Sequence, residues 1–219
     1  MADWMGYLLL ILNGAVTTIE LTILGCGLAL FMAFVAGLGR LSRFFAFRAL
    51  ATTYIEFFRG TSIFVQLFWA FFVLPLIGIP LSPFFAGVLA LGLNIGAYGA
   101  EVVRGAILSV PRDQHEAGVA LNFSRWQRMR YITMPQAIVL MLPTFGNNAI
   151  ELLKGTAVVS LISISDMTFQ AQVVRSQTGS TTMPFLTILV LYFIISLVIS
   201  SSVRRLERRL SQGLDVTKA

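Results

Sequence analysis

The chain has 219 residues, 57% of them hydrophobic and 12% charged, with a net charge of +6; its pI is near 10.1 and its mean hydropathy +0.82. A water-soluble domain carries about twice that charged fraction, so the composition excludes an ordinary soluble domain. One cysteine (Cys26) and one histidine (His115) exclude a disulfide framework and a protein-only zinc site.

The first residues, "MADWMGYLLLILNG", carry Asp3 but no basic residue before the apolar run, unlike a signal peptide, so this end is read as part of the mature chain. Residues 7–12 precede Asn13-Gly14, an expected break, and read as a short interfacial helix. Charge-free runs such as 21–39 and 185–203 match the length of a helix crossing a bilayer, about 20 residues. Five spans are expected, all helical because lipid tolerates no unpaired backbone: 17–38, 49–73, 83–108, 132–153 and 185–203.

The segments after spans one, three and five hold 13 of the 16 Lys and Arg residues: Arg40, Arg43, Arg48, then Arg104, Arg112, Arg125, Arg128, Arg130, then Arg204, Arg205, Arg208, Arg209 and Lys218. The positive-inside rule makes that side cytoplasmic. The N-terminus is then outside and the C-terminus inside, in a multi-pass protein of the inner or plasma membrane. The basic residues serve as topology anchors, and a nucleic-acid partner is not implied.

Small residues recur every four positions, at Gly25, Ala29, Ala33 and Gly37 in span one and at Gly92, Gly96 and Ala100 in span three, the pattern of close helix contacts in membranes. Acid and base recur at i, i+3, each pair followed by glycine: Glu56/Arg59, Glu101/Arg104 and Glu151/Lys154. Each pair shares one helical face and can cancel its own charge. Packing within the bundle is the expected role of the first two. For the third, a role in a solute pathway competes with an internal salt bridge. From 131 to 164 the chain runs 34 residues, about 51 Å if helical, so it must bend, break or protrude; Pro135 and Pro143 allow kinks. Ionisable residues within a membrane and broken helices near mid-depth are marks of translocation sites. Asn147, Asn148, Glu151, Lys154 and Thr156 are therefore the candidate pathway cluster. Gln66 and Asn94 are weaker candidates, equally explained as a polar contact between helices. Glu20, without a local partner, is expected to meet Lys154 or Arg59.

Residues 111–130 interrupt the apolar pattern. Asp113 with Glu116 has the spacing of a capping box, Asn122 suits a left-handed helix stop, and Ser124 with Gln127 offers a second box. The expectation is a helix of about eight residues, a stop and a second helix. Ala117, Ala120 and Leu121 share one face of the first helix. On spacing alone, docking into a groove of another protein and lying on the headgroups with Trp126 at the interface fit equally well.

Glu116-Ala117-Gly118, Asn122, Ile132 and Met134-Pro135 resemble the "EAA" cytoplasmic loop of ATP-binding-cassette importer permeases. They depart from it at Gly118 for alanine, Asn122 for glycine and Met134 for leucine. Asn122 keeps the left-handed stop; Gly118 should weaken the helix by about 1 kcal/mol. Residues 54–69 ("YIEFFRGTSIFVQLFW", Ser62 replacing proline), 96–111, 134–137 and 161–172 are similar to the polar amino-acid permease family over nearly the whole chain. Residues 145–169 lean toward its ectoine and hydroxyectoine group.

The resemblance implies an all-α polytopic membrane protein with the type I ABC importer permease fold, residues 1–219 forming one transmembrane domain. It further implies a permease dimer, with a second copy or a sister chain, in the lipid bilayer. Two ATP-binding subunits would hold the loop through Asp113, Glu116, Ala117, Gly118, Ala120, Leu121 and Asn122, and an external binding protein would deliver a polar amino acid or similar small zwitterion. The chain has no phosphate loop: Lys154-Gly155-Thr156 runs in the wrong order and lacks the preceding glycine. ATP and Mg²⁺ are thus expected on the partner ATPase, and no cofactor on this chain. The rivals are a channel or secondary transporter that needs no ATPase, and a membrane enzyme, for which no nucleophile or metal set is present.

Overall fold

The computed structural model describes residues 4–211; Asp3 and Lys218 lie outside the described residues. Among those described there is no strand. The helices are α1 (Trp4–Arg40), α2 (Phe45–Gly60), α3 (Ile63–Phe68), α4 (Pro83–Ser109), α5 (Arg112–Ala120), α6 (Arg125–Arg128), α7 (Met134–Gly155), α8 (Met167–Thr178) and α9 (Thr182–Leu210). π-helical turns follow α3 (Trp69–Val73) and precede α7 (Met129–Thr133), and a 3-10 segment (Thr156–Ile162) continues α7. Three single helices, α1, α4 and α9, are long and apolar enough to cross a membrane, and two bent pairs bring the total to as many as five.

One bend replaces an expected straight span, and the other falls at the end of the stretch 131–164, which was expected to bend, break or protrude. Residues 49–73 form a pair of helical pieces bent by 105° at Thr61-Ser62, and the piece that includes α7 meets α8 at 51°. Thr61 and Ser62 are both extended. The 3-10 segment ends at Ser163, left-handed at φ 63°, and Asp166 then caps α8 by accepting a bond from the Phe169 N–H at 2.9 Å. Gly179, at φ 66°, closes α8.

The N-terminal expectation needs correction. No interfacial helix precedes a break at Asn13-Gly14; α1 runs through both. Gly14 is buried there because α8 crosses it: a Cβ would stand 2.7 Å from the Asp166 carbonyl oxygen. The glycine serves a contact rather than a break. The start of α5 also differs. Pro111 occupies the cap position, without a side-chain bond, and Asp113 lies in the first turn, where its charge still favours the helix N-terminus.

The core is the crossing of α1 and α4, and the recurrent small residues interleave there. Gly92 faces Leu28, Gly96 faces Met32, Gly99 faces Ala33, and Gly37 faces Ala100 and Val103. Because lipid tails are as apolar as leucine, burial drives helices together only weakly in a membrane and tight packing must supply the attraction. α7 packs on the same core through Leu152, Met141 and Ala137. Along most of its length α9 instead presents Leu186, Leu189, Phe193, Leu197 and Val198 outward.

A Cβ at position 37 would lie 2.8 Å from the Ala100 carbonyl oxygen, whereas one at Gly27 meets nothing within 4 Å. Gly37→Ala should therefore cost about 1–3 kcal/mol, and Gly27→Ala should cost nothing or stabilise by up to about 1 kcal/mol. Thermal unfolding of the detergent-solubilised protein, comparing the two variants, checks this.

Candidate functional site: a polar face and an exposed helix

The break between α2 and α3 leaves carbonyls at the end of α2 without their helical partners, and side chains replace those partners. The Thr61 hydroxyl donates to the Phe57 carbonyl at 2.8 Å. The Phe58 carbonyl accepts from the amides of both Gln66 and Asn94, each at 2.9 Å. Asn94 also donates to Gln66 Oε1 at 3.1 Å, and the Gln66 amide to Thr61 Oγ1 at 2.7 Å. Gln66 and Asn94 are buried, and their polar atoms are spent on this brace.

Beside the brace the charges are arranged otherwise than the three i, i+3 pairs suggest. Glu101 does hold Arg104, at 3.0 Å, and it also holds Arg40 of α1. Glu56 and Arg59 form no ion pair among the described residues; Arg59 lies instead over the Tyr98 ring, 5.3 Å from its centroid, a cation–π contact. Glu151 and Lys154 do not pair either, and Glu20, exposed on α1, meets neither Lys154 nor Arg59. Between residues 91 and 100 of α4, Tyr98 alone is exposed. A cleft of about 930 Å³ opens where α1, α2 and α4 meet, lined by Arg40, Arg48, Thr52, Thr53, Glu56 and Arg104 among others. One carboxylate, Glu101, serves two guanidinium groups, so the cleft keeps an excess of positive charge.

On α7 the candidate cluster divides. Thr144, Asn147, Glu151 and Lys154 are exposed and follow the helical repeat as one stripe. Asn148 lies off it: its amide nitrogen is buried without a partner and borders a cavity of about 220 Å³ shared with Cys26, Phe145 and Val203. Thr156 is buried on another side, donating to the Leu153 carbonyl at 2.7 Å and lying 3.3 Å from the Tyr192 hydroxyl. Gly155 packs against Leu91 and Ile63, so the end of α7 meets the break that the brace maintains. Tyr98 and the Thr52/Thr53 pair were not singled out from sequence, and Arg40 was read only as a topology anchor. The one signal for Tyr98 is its position as the only large side chain of the Gly-Ala-Tyr-Gly-Ala run 96–100.

The second feature is α5. Asn122 takes φ 59° and stops the helix as its residue type suggests, and Ser124 and Gln127 close the capping box that starts α6. Ala117, Ala120, Leu121 and Glu116 are exposed, as are Val119 and Trp126. Gly118 alone in α5 is buried. A Cβ there would stand 2.7 Å from Ile132 Cδ1 and 2.9 Å from Arg128 Cγ, so the residue that weakens the helix lets α5 lie close on the π-helical turn before α7.

The model of the family described as "binding-protein-dependent transport system inner membrane component" matches residues 25–212. A probable amino-acid ABC transporter permease of Sinorhizobium fredii is 46% identical over 211 residues, covering 94% of this chain and 89% of the relative. The glutamine transport system permease of Escherichia coli is 36% identical over 203 residues, covering 92% and 93%. Among solved structures, an amino acid ABC transporter crystallised with histidines superposes with a TM-score of 0.88 at 35% identity, covering 94% of this chain and 97% of that one.

Asn94→Leu removes one donor from the Phe58 carbonyl and strands Gln66 Oε1, a loss of about 1–3 kcal/mol. Because Gln66 and Asn94 share that carbonyl, the Gln66→Leu/Asn94→Leu double variant should lose less than the sum of the singles. A double-mutant cycle on unfolding free energies measures the difference.

Proposed function

Because the chain belongs to the family of binding-protein-dependent transport system inner membrane components, with the type I ABC importer permease fold, we propose that it moves a polar amino acid or similar small zwitterion across the inner membrane along the polar face of α2, α4 and α7. It is a permease subunit and not an enzyme; ATP hydrolysis belongs to a separate subunit. Transport systems of this kind combine the permease with ATP-binding subunits and an external binding protein.

The observation that carries the coupling part of the proposal is α5. Leu121 is 67% exposed and Val119 57%, on a nine-residue helix too short to persist alone in water. An apolar face on a short helix that ends at the left-handed Asn122 fits docking into a groove, here on the ATP-binding subunit. The count of basic residues supports a reading with this segment in the cytoplasm, the N-terminus outside and the C-terminus inside. ATP-driven closure of two such subunits would then push α5 and switch the permease between its inward- and outward-facing states.

Support for the pathway comes from exposed polar groups in an otherwise apolar chain. Asn147, Glu151 and Lys154 on α7, Arg59 over Tyr98, and Arg48 and Glu56 of α2 would be costly against lipid. An aqueous route or a neighbouring protein makes them tolerable. The net positive charge of the face suits a solute that carries a carboxylate, with Glu56 and Glu151 left for its ammonium group. Gln66 and Asn94 support the route as its brace. Ectoine, a zwitterion of this size, falls within the proposed class, and binding by the cognate external receptor identifies the solute.

Leu121→Asp changes a side chain that is 67% exposed, so the fold should survive. It should abolish co-purification of the ATP-binding subunit and lower ATP-driven uptake by about tenfold or more, the effect of removing an interface anchor. Unchanged uptake would overturn the coupling role. Solute passage through the permease in vesicles without ATPase would return it to the channel class.

A further inference from the structure

Glu151 and Lys154 are both exposed, lie one turn apart on the same stripe of α7, and do not bond to each other. Three residues of α-helix separate them by about 60° around the axis and about 4.5 Å along it. Asn147 lies between them in angle, one turn below Glu151. The stripe thus has an acid on one flank, a base on the other and an amide near its centre line.

That order is self-complementary. When two parallel helices are related by a two-fold axis running along them, the left flank of one meets the right flank of the other, as with flanking charges in parallel coiled coils. We infer that the α7 stripe is where two copies of this chain meet, Glu151 of each pairing with Lys154 of the other and the two Asn147 amides bonding across the axis. The occupant is a second copy because the stripe supplies its own complement; a sister chain would need an acid and a base placed to match. An amide pair at such an axis fixes register, and the charges leave lipid without being neutralised.

The inference rests on the proposed reading of this face as the border of the solute route, and it gives that border a closed form. With the pairs made, the two α7 helices touch at the level of residues 147–154, and passage requires them to part.

Charge exchange between copies tests this in the assembled transporter. Two differently tagged copies are co-expressed with the ATP-binding subunits and captured through one tag. Wild-type copies should capture each other; failure to do so overturns the inference in favour of a sister chain. E151K alone sets like charges across the axis, and so does K154E alone, whereas an E151K copy beside a K154E copy restores both pairs. Mixed pairs should therefore exceed self-pairs by about tenfold or more. A bond within one chain predicts no such preference, because each single variant then carries its own like-charged pair, and a random distribution overturns the inference. The E151K/K154E double variant, which should pair with itself like wild type, shows that the substitutions leave the chain folded. If mixing is random while Glu151→Gln and Lys154→Gln each still depress uptake, the route along this face stands and the pairing between copies falls.

Discussion

A backbone carbonyl in hydrocarbon must have a donor, and the break between α2 and α3 is possible because side chains supply one. In a continuous helix the Phe58 carbonyl would accept from the N–H of Ser62. Here Thr61 and Ser62 are extended and two buried amides, Gln66 and Asn94, take over. Much follows from this substitution. α3 turns sharply from α2, Arg59 at the end of α2 comes over Tyr98, and Ile63 comes within contact of Gly155 at the end of α7. Both bent spans therefore change direction in one neighbourhood, next to the polar face.

Charge obeys the same economy. Glu101 binds two arginines from different helices and so ties α1 to α4 near their ends. Pairs that could have cancelled within α2 and α7 are left apart, although the spacing allows them to close. Packing alone gives no reason to keep Glu151 and Lys154 open in a membrane protein whose α9 is lined with exposed leucine, valine and phenylalanine. Open charges are available to a solute in transit or to another chain, and the proposals for this face concern those two uses.

The helical class, the apolar spans and the small-residue contacts of α1 with α4 were legible because each depends on local composition or on one-turn periodicity. So were the Asn122 stop and the Ser124/Gln127 box, which involve neighbours in sequence. What was not legible depends on residues far apart. The break at Thr61-Ser62 requires Asn94, 32 to 33 positions away. Gly14 reads as a helix break until Asp166 is seen against it, and Arg59 reads as the partner of Glu56 until Tyr98 intervenes. The i, i+3 rule states which charges can meet on a helix; a competing ring or a second cation decides which do.

The position of Gly118 links the two halves of the proposed mechanism. Alanine would make α5 a better helix, yet its methyl group would push into Ile132 and Arg128. Glycine gives up helix stability for close contact with the turn Met129–Thr133, and that turn is π-helical, a local expansion often found where helices serve function. From Met134 the chain continues as α-helix to Gly155, about 33 Å. In the proposed function, a push on the exposed side of α5 is received by Ile132 and carried by α7 to the stripe of Asn147, Glu151 and Lys154. A methyl group at 118 would have to displace Ile132 Cδ1 and the Arg128 stem before α5 could lie as close. The sequence departure that weakens the helix thus has a mechanical reason in the contact it permits.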